Sequence, residues 1–402
     1  MNNPNEIPMT IKFGLDTGRI PIEPNVSQSH FDAEREIIFP HAWLNMGREE
    51  LVPKRGDYVV RDVAILKTSV LIVRGRDGIV RAFHNMCKHR GNKVVGTGVD
   101  HGSAKGFSCS FHGWTYNTEG ELVVVPDEDQ FFDFDKSANG LTPIATEIWE
   151  GFVFINTAPK ESLREWLGEI SDSFTGYFDG AKHVASYQAE VKTNWKVVLD
   201  AFVEAYHAPF LHGRNYPDAL TGETNPLCHL PVVKLFPRHR MMSIEANPNP
   251  SLTRTESILL EHVDGVFSAM IKPLDMTTLP PGVNPAKLPN WAFDAYTIFP
   301  NFYLAPMRVF QFVTYHFWPI APDRTLWQTD HYVVPPRNAA ERIALEFSKS
   351  FARDVQREDL ITLENTQTML ESGAMTHMIL SDQEVVVRHG YKVIEEALRS
   401  GV

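Results

Sequence analysis

Two short stretches of the chain pair a thiol with an imidazole. In CKHRG, residues 87–91, His89 follows Cys87 by two positions; in CSFHGW, residues 109–114, His112 follows Cys109 by three. Two thiolates and two imidazoles make a complete four-ligand set, which suits structural zinc and equally an iron–sulfur cluster. The stretch between the pairs holds Gly96, Gly98, Gly102 and Gly106. It reads as a strand excursion between two loops and lacks the helix of a zinc finger. Phe107, Phe111, Trp114 and Tyr116 surround the second pair and would shield a buried centre from water. The third cysteine, Cys228, has no partner at ligand spacing and reads as a buried thiol.

A second group of metal-ligand types lies in EAYHAPFLH, residues 204–212. Glu204 and His207 are three apart and would share a helical face. Pro209 ends regular helical bonding and lets the chain turn His212 back towards His207. Two histidines with a distant carboxylate form a facial triad, the arrangement that leaves open positions on non-haem Fe(II). Taken alone, the two histidines would equally be satisfied core side chains. A carboxylate would come from the charged helix predicted over 338–373, which offers Asp354, Glu358, Asp359 and Glu364. Helical periodicity does not choose among them.

The elements that must hold these residues differ between the two halves of the chain. Residues 29–43 read as helical, with Ser29 or Asp32 as its cap. From Arg55 the pattern alternates and is rich in Val and Ile, which predicts several strands. Asp77-Gly78 and Glu119-Gly120 mark hairpin turns, and 147–157 reads as one further strand. A β-rich domain over 55–157 therefore contains both Cys-His pairs, preceded by an N-terminal helical segment, 1–54, that packs on the second domain. In that domain, 158–402, the residues following Glu161 are amphipathic, and 194–213 reads as a helix interrupted by Pro209. Residues 253–271, the aromatic run 295–320 and 325–336 read as long strands. The Pro-rich segment 273–290 reads as a loop near the surface or over a pocket. The fold class expected is α+β, with a β-rich domain followed by a mixed catalytic domain whose central antiparallel sheet is flanked by helices.

Bulk properties exclude several function classes. The formal net charge is -12 over 402 residues, which argues against a nucleic-acid surface. No run approaches the roughly 18 apolar residues of a membrane span, and the N-terminus has no basic segment leading into an apolar one. Three cysteines cannot build a disulfide framework, and free thiolates beside histidines fit a reducing, cytoplasmic compartment.

CKHRG with CSFHGW resembles the Rieske [2Fe-2S] motif, in which the two cysteines, here Cys87 and Cys109, ligate one iron and the two histidines, here His89 and His112, the other. Over nearly its whole length the chain resembles the large, catalytic subunit of Rieske non-haem iron ring-hydroxylating oxygenases. Asn194-Trp195-Lys196 matches the motif that begins the family's catalytic domain, and the family's histidine ligands fall on His207 and His212. By the same resemblance the third ligand is Asp359, from Glu358-Asp359 followed by Glu364 and Gln367. Three residues before the first histidine the family carries an aspartate that bridges to the Rieske histidine of a neighbouring subunit. This chain has Glu204 there, one methylene longer. Asp200 stands where some ring dioxygenases have asparagine, a departure from the cis-dihydroxylase pattern. Glu204 and Asp200 are the catalytic residues expected beside the ligands.

The resemblance implies a [2Fe-2S] cluster and Fe(II), dioxygen, and hydroxylation of an aromatic or other apolar small molecule. Oxidative N- or O-demethylation uses the same iron set, and a Rieske electron carrier without oxygenation is the reading from another class. The chain has no G-x-G-x-x-G after a strand, so electrons are expected from an NAD(P)H-dependent reductase, directly or through a ferredoxin. A head-to-tail homotrimer is implied, with or without a small beta subunit, in which His112 of one chain faces Glu204 of the next. For the pocket lining the candidates are Phe202, Phe210, Leu211, Phe293, Phe299, Phe302, Met307, Phe310 and Phe317, with Arg308 as a seat for a carboxylate; each aromatic is also an ordinary core candidate.

Overall fold

The helical segment near the N-terminus begins one step earlier than its sequence suggests in the computed structural model, which describes residues 7–214, 218–262, 276–307 and 311–402, and the backbone alone over 259–262. Helix α1 (Gln28–Ala33) is capped by Ser27, whose hydroxyl accepts from His30 N, rather than by Ser29 or Asp32. Ser27 wins because it is the last residue with extended backbone, the geometry an N-cap requires.

Two units divide the chain: Arg35–Gly168, and Met1–Glu34 together with Glu169–Val402. The span 1–54 thus divides between them. In the first unit, Leu44–Arg48 is strand β1, and it pairs antiparallel with a strand more than a hundred residues later. The alternating run becomes β2 (Asp57–Val63), β3 (Thr68–Arg74) and β4 (Val80–His84). The turn between β3 and β4 is at Asp77-Gly78 as expected, with Gly78 at φ 90°, a value that glycine adopts without steric cost. Short strands β5 (His101–Ser103), β6 (Gly106–Ser108), β7 (Thr115–Asn117) and β8 (Leu122–Val124) follow, with the expected turn at Glu119-Gly120. The strand expected over 147–157 is two, β9 (Pro143–Trp149) and β10 (Phe152–Asn156). Both Glu150 and Gly151 have positive φ and turn the chain between them. The strands form a seven-stranded antiparallel sheet in the order β1-β10-β9-β4-β3-β2-β5 and a separate three-stranded sheet β6-β7-β8. Helix α2 (Leu163–Leu167), opened by a Ser162–Glu165 capping box, ends this unit.

The second unit is organised on one antiparallel sheet. Its strands are β11 (Lys182–Val191), β12 (Val232–Leu235), β13 (Arg240–Glu245), β14 (Trp291–Ile298), β15 (Phe302–Pro306), β16 (Phe312–Ala321) and β17 (Arg324–Val333), in the order β11-β17-β16-β15-β14-β13-β12. The aromatic run therefore does form strands, β14 to β16. Helices α3 (Trp195–Asp200), α4 (Ala208–Leu211), α5 (Arg254–His262), α6 (Ala339–Glu371) and α7 (Val385–Ser400) accompany the sheet. Of the strand expected over 253–271, residues 254–262 are instead helix α5. Thr253 and Glu256 exchange bonds across its first turn, a capping box that outweighs the β-branched composition; 263–271 lies outside the described residues. Residues 276–290 form turns and coil, as the prolines predict. Asn284 is held there by Asp294 of β14, which accepts from Asn284 N at 2.7 Å and from Trp291 Nε1 at 2.9 Å. Among the described residues no helix is long and apolar enough to cross a membrane.

Candidate active site

Asn194 fixes the start of the segment that carries the two histidines. Its side chain accepts from Lys196 N and donates to Pro322 O, while its own N–H donates to Gln367 Oε1 of α6 at 3.0 Å. Helix α3 ends at Asp200, and turns carry the chain to α4. Pro209 interrupts nothing: it sits at the start of α4, where its missing N–H would have had no helical partner. His207 and His212 flank this single turn of helix. Glu204 and His207 do not share a helical face, because the backbone between them is a turn. Contact is made by the carboxylate, which accepts from the N–H groups of Tyr206 and His207 and pairs with His207 Nδ1.

The late helix resolves the choice among four acids. The buried face of α6 carries Ser348, Gln356, Asp359, Leu363, Gln367 and Leu370, a helical stripe that faces the unit's interior. Asp359 lies on it at 2 % exposure. Asp354 is half-exposed and bonded to Arg353 at 2.9 Å, and Glu364 accepts from Lys192 N at 3.1 Å. Asp359 Oδ1 lies 3.5 Å from His212 Nε2 and 3.9 Å from His207 Nε2. One ligand atom from each of the three residues lies within 4.8 Å of the others. The far nitrogens are anchored: Glu204 holds His207 Nδ1, and Glu358 holds His212 Nδ1 at 2.8 Å. Both Nε2 atoms are thereby left as ligands on the Asp359 side. From the sequence alone, Glu358 stands only as a rival to Asp359. Its role was open to a different signal, since a ligating imidazole needs an acceptor for its second nitrogen.

The electrostatics fit a cation at this point. Burial pushes the Asp359 carboxyl up to about 7, opposed by His207 and reinforced by Glu358 and Glu204. A buried carboxylate among two other acids is stabilised by a metal ion far better than by any group in contact with it here. Burial lowers the His212 imidazole despite its bond to Glu358, so it is held neutral. For His207 burial acts downward as well, but the Glu204 hydrogen bond and the charges of Glu204 and Asp359 outweigh it and raise the ring. Cys228 is buried, and burial, helped by the Glu204 charge, pushes its thiol up to about 12. It is an inert thiol, as its lack of partner spacing suggests.

Asp200 lies elsewhere. It is outside the lining of the cavity above the triad and 3.8 Å from Arg240, in a buried group with Tyr391 and Lys196. Burial pushes its carboxyl up to about 7 against the pull of Arg240, Tyr391 and Lys196.

In the first unit the Cys-His pairs occupy two matching loops. Cys87 and Cys109 are 2 % and 3 % exposed and sit in one apolar cluster with Phe107, Trp114 and Tyr116. Tyr116 Oη donates to Cys87 Sγ at 3.4 Å, and Asn92 Nδ2 to Cys109 Sγ at 3.6 Å. Burial raises the Cys109 thiol, yet the N–H groups of Phe111 and His112 with Asn92 and Cys87 overcome it and hold the thiol below its ordinary value. The His89 and His112 rings are 4.5 Å apart, and His89 stacks on Trp114 at 5.0 Å. His89 Nδ1 is buried without a hydrogen-bond partner. An orphaned imidazole nitrogen beside two thiols that accept hydrogen bonds fits a [2Fe-2S] cluster with mixed ligation.

A cavity of about 190 Å³ opens over the triad, with His207, His212, Asp359 and Glu204 in its wall. Of the expected lining residues, Phe202, Phe293 and Met307 are present. Phe299, Phe302 and Phe317 are core instead, Phe210 is 70 % exposed, and Leu211 does not line the cavity. Phe310 and Arg308 lie outside the described residues. The sequence did not single out Met242, Tyr303, Val313, Tyr315, Phe351 and Gln356, which complete much of the wall.

Comparison with known proteins agrees with this geometry. Residues 178–400 match the family model of the ring hydroxylating alpha subunit (catalytic domain), and residues 42–143 match that of the Rieske [2Fe-2S] domain. The carnitine monooxygenase oxygenase subunit of Acinetobacter pittii is 31% identical over 192 residues, 46% of this chain and 50% of that protein. The biphenyl 2,3-dioxygenase subunit alpha of Rhodococcus jostii is 34% identical over 200 residues, 48% of this chain and 43% of its own. The chain thus spans about half the length of the curated relatives it matches. Among solved structures, a quaternary ammonium Rieske monooxygenase superposes with a TM-score of 0.73 at 21% identity, covering 99% of this chain and 98% of the other. Naphthalene 1,2-dioxygenase from Rhodococcus sp. gives 0.72 at 21%, covering 94% of each chain. At these identities the structural likeness establishes the fold.

Proposed function

Because the chain belongs to the family of ring-hydroxylating alpha subunits, we propose that it is the terminal oxygenase of a multi-protein system, hydroxylating an apolar or aromatic small molecule with dioxygen and electrons supplied from outside. The observation that carries this reading is the convergence of His207, His212 and Asp359 at an apolar cavity in a chain that also carries a Rieske domain. When bound, the two centres supply one-electron delivery and dioxygen activation. Cys87, Cys109, His89 and His112 would hold the cluster, and His207, His212 and Asp359 the mononuclear iron.

The rest of the work falls to the protein. Glu204 and Glu358 hold the two imidazoles by their Nδ1 atoms, so each Nε2 is presented in a fixed direction. The aromatic wall, with Phe202, Phe293, Tyr303 and Tyr315, excludes water and orients a flat or apolar substrate against the triad. His112 is exposed at its loop, beside Phe111 and the Arg90 guanidinium that lies 5.3 Å from the Phe111 ring. An exposed ligand edge of this kind suits electron exchange with a reductase or ferredoxin. In a head-to-tail trimer, with or without a beta subunit, it would meet Glu204 of the next chain, and Glu204 would link the two centres. A second reading, oxidative N-demethylation, rests on the aromatic wall, which suits an N-methylated ammonium group, the group carried by the carnitine and glycine betaine named for two of the relatives.

Turnover with a competent reductase under isotope-labelled dioxygen tests the proposal. Labelled product is expected; one or two labelled atoms separate mono- from dioxygenation, and formaldehyde marks demethylation. A cluster that reduces and reoxidises without any oxygenated product would make the chain an electron carrier.

A further inference from the structure

One polar pair in the cavity wall takes no part in binding the metal. Gln356 Nε2 donates to Tyr315 Oη at 3.2 Å, and both residues line the cavity. Gln356 lies on α6 three residues before Asp359, so it is one helical turn from the iron carboxylate. Tyr315 projects from β16, its ring stacked on that of its cross-strand neighbour Tyr303 at 4.9 Å. Around them the wall is mostly apolar, with Phe202, Val313 and Val355, and Ser348, also in it, donates to Ala344 O of its own helix.

An amide and a phenol in such a wall cost free energy unless their hydrogen-bonding capacity is used. Their mutual bond uses one donor and one acceptor. With the amide as placed, the Tyr315 hydroxyl hydrogen and Gln356 Oε1 have no further partner among the described residues. If the amide were turned over, Tyr315 would donate to Oε1, and the Gln356 N–H groups and the Tyr315 oxygen would remain. Either arrangement leaves at least one donor and one acceptor facing the cavity. No lysine or arginine lines the cavity among the described residues, whereas Asp359 and Glu204 do. An anionic group is therefore disfavoured there, and a neutral oxygen is suited.

We propose that Tyr315 and Gln356 are the specificity-determining anchor of this site, seating a neutral carbonyl or hydroxyl oxygen of an otherwise apolar substrate one helical turn from the iron carboxylate. The substrate then carries an oxygen before the enzyme adds one. This rests on the oxygenase reading of the cavity.

Calorimetric binding of a matched pair, tetralin and 1-tetralone, to the metal-loaded protein tests the anchor without turnover. The ketone should bind about tenfold more tightly than the hydrocarbon, the worth of one or two neutral hydrogen bonds. Tyr315→Phe and Gln356→Leu should each bring the ratio to within about twofold. Two independent variants, each checked for an intact cluster spectrum and melting transition, keep the test alive if one fails to fold. Equal binding of both compounds to the wild type, or a ratio that neither folded variant alters, overturns the anchor and leaves the oxygenase reading standing. Binding of neither compound overturns both the anchor and the apolar character assigned to the cavity.

Discussion

Replacing Glu34 by Gln should destabilise the catalytic unit by several kcal/mol, although residue 34 lies far from the iron ligands in sequence. Glu34 is 0 % exposed and Lys196 2 %, and Lys196 Nζ donates to Glu34 Oε1 at 2.6 Å. Trp195 Nε1 donates to the other carboxylate oxygen at 2.9 Å, and His30 Nε2 lies 3.3 Å from Oε1. Burial alone would raise the carboxyl, but the Lys196 charge and the donors around it hold Glu34 below its ordinary value. Burial lowers the Lys196 amine, with Glu34 opposing. Glutamine keeps the volume and can still accept from Trp195, but it strands a buried ammonium. Loss of one partner from a buried pair costs about 3–5 kcal/mol. At about 2 °C per kcal/mol for a unit of this size, the melting midpoint should fall by about 6–10 °C. Glu34→Leu combined with Lys196→Met should recover most of that loss, because neither charge of the pair is then desolvated. Scanning calorimetry at pH 7 reads both. A Glu34→Gln midpoint within about 2 °C of wild type, or a double variant no better than the single one, would refute the reasoning.

Three further outcomes follow, two from the site and one from a buried histidine of the same unit. Glu358→Ala removes the acceptor on His212 Nδ1 and should weaken mononuclear iron binding about 10- to 100-fold, with the cluster spectrum unchanged; metal titration checks it, and unaltered affinity would mean Glu358 does not position His212. Glu204→Gln should retain both metals yet slow oxidation of the reduced cluster in single turnover, with Glu204→Asp recovering part of the rate; an unaffected rate would remove Glu204 from the electron path. His389 is 5 % exposed, and burial, with Arg240 and Lys392 nearby, lowers its imidazole from 6.5 to about 4. Between those values the unfolded chain holds the extra proton, so stability is lost as pH falls through the window, by about 3 kcal/mol in all. His389→Gln should flatten urea midpoints over that range, and slopes equal to wild type would contradict the assignment.

What the sequence revealed and what it hid follow the range of the interactions involved. Cys87, His89, Cys109 and His112 announce themselves because each pair sits in one tight loop, so spacing encodes geometry directly. His207 and His212 are similar, since one short helix separates them. Asp359 needed the fold: α6 carries four acids within a few turns, and only the sheet behind it decides which one faces inward. Glu358 was legible only through what His212 Nδ1 requires. The alternation in β11, where exposure follows period two over most of its length, is legible in the sequence. Less legible is α7, because its opening Val385-Val386-Val387 has the composition of a strand and its first six residues are buried all round. At Asp200 the family position suggested chemistry, whereas its neighbours Arg240 and Tyr391 make it part of a buried charge network. The pocket was least legible, because an aromatic in a strand looks the same whether its face meets core or cavity.

Iron and acid-labile sulfide analysis of the wild type beside Asp359→Ala tests the central claim most directly, that this chain holds a Rieske cluster and a mononuclear iron on His207, His212 and Asp359. About three irons and two sulfides per chain are expected in the wild type, and about two of each in the variant with an unchanged cluster spectrum. Zinc without sulfide, or a third iron that survives Asp359→Ala, would contradict it.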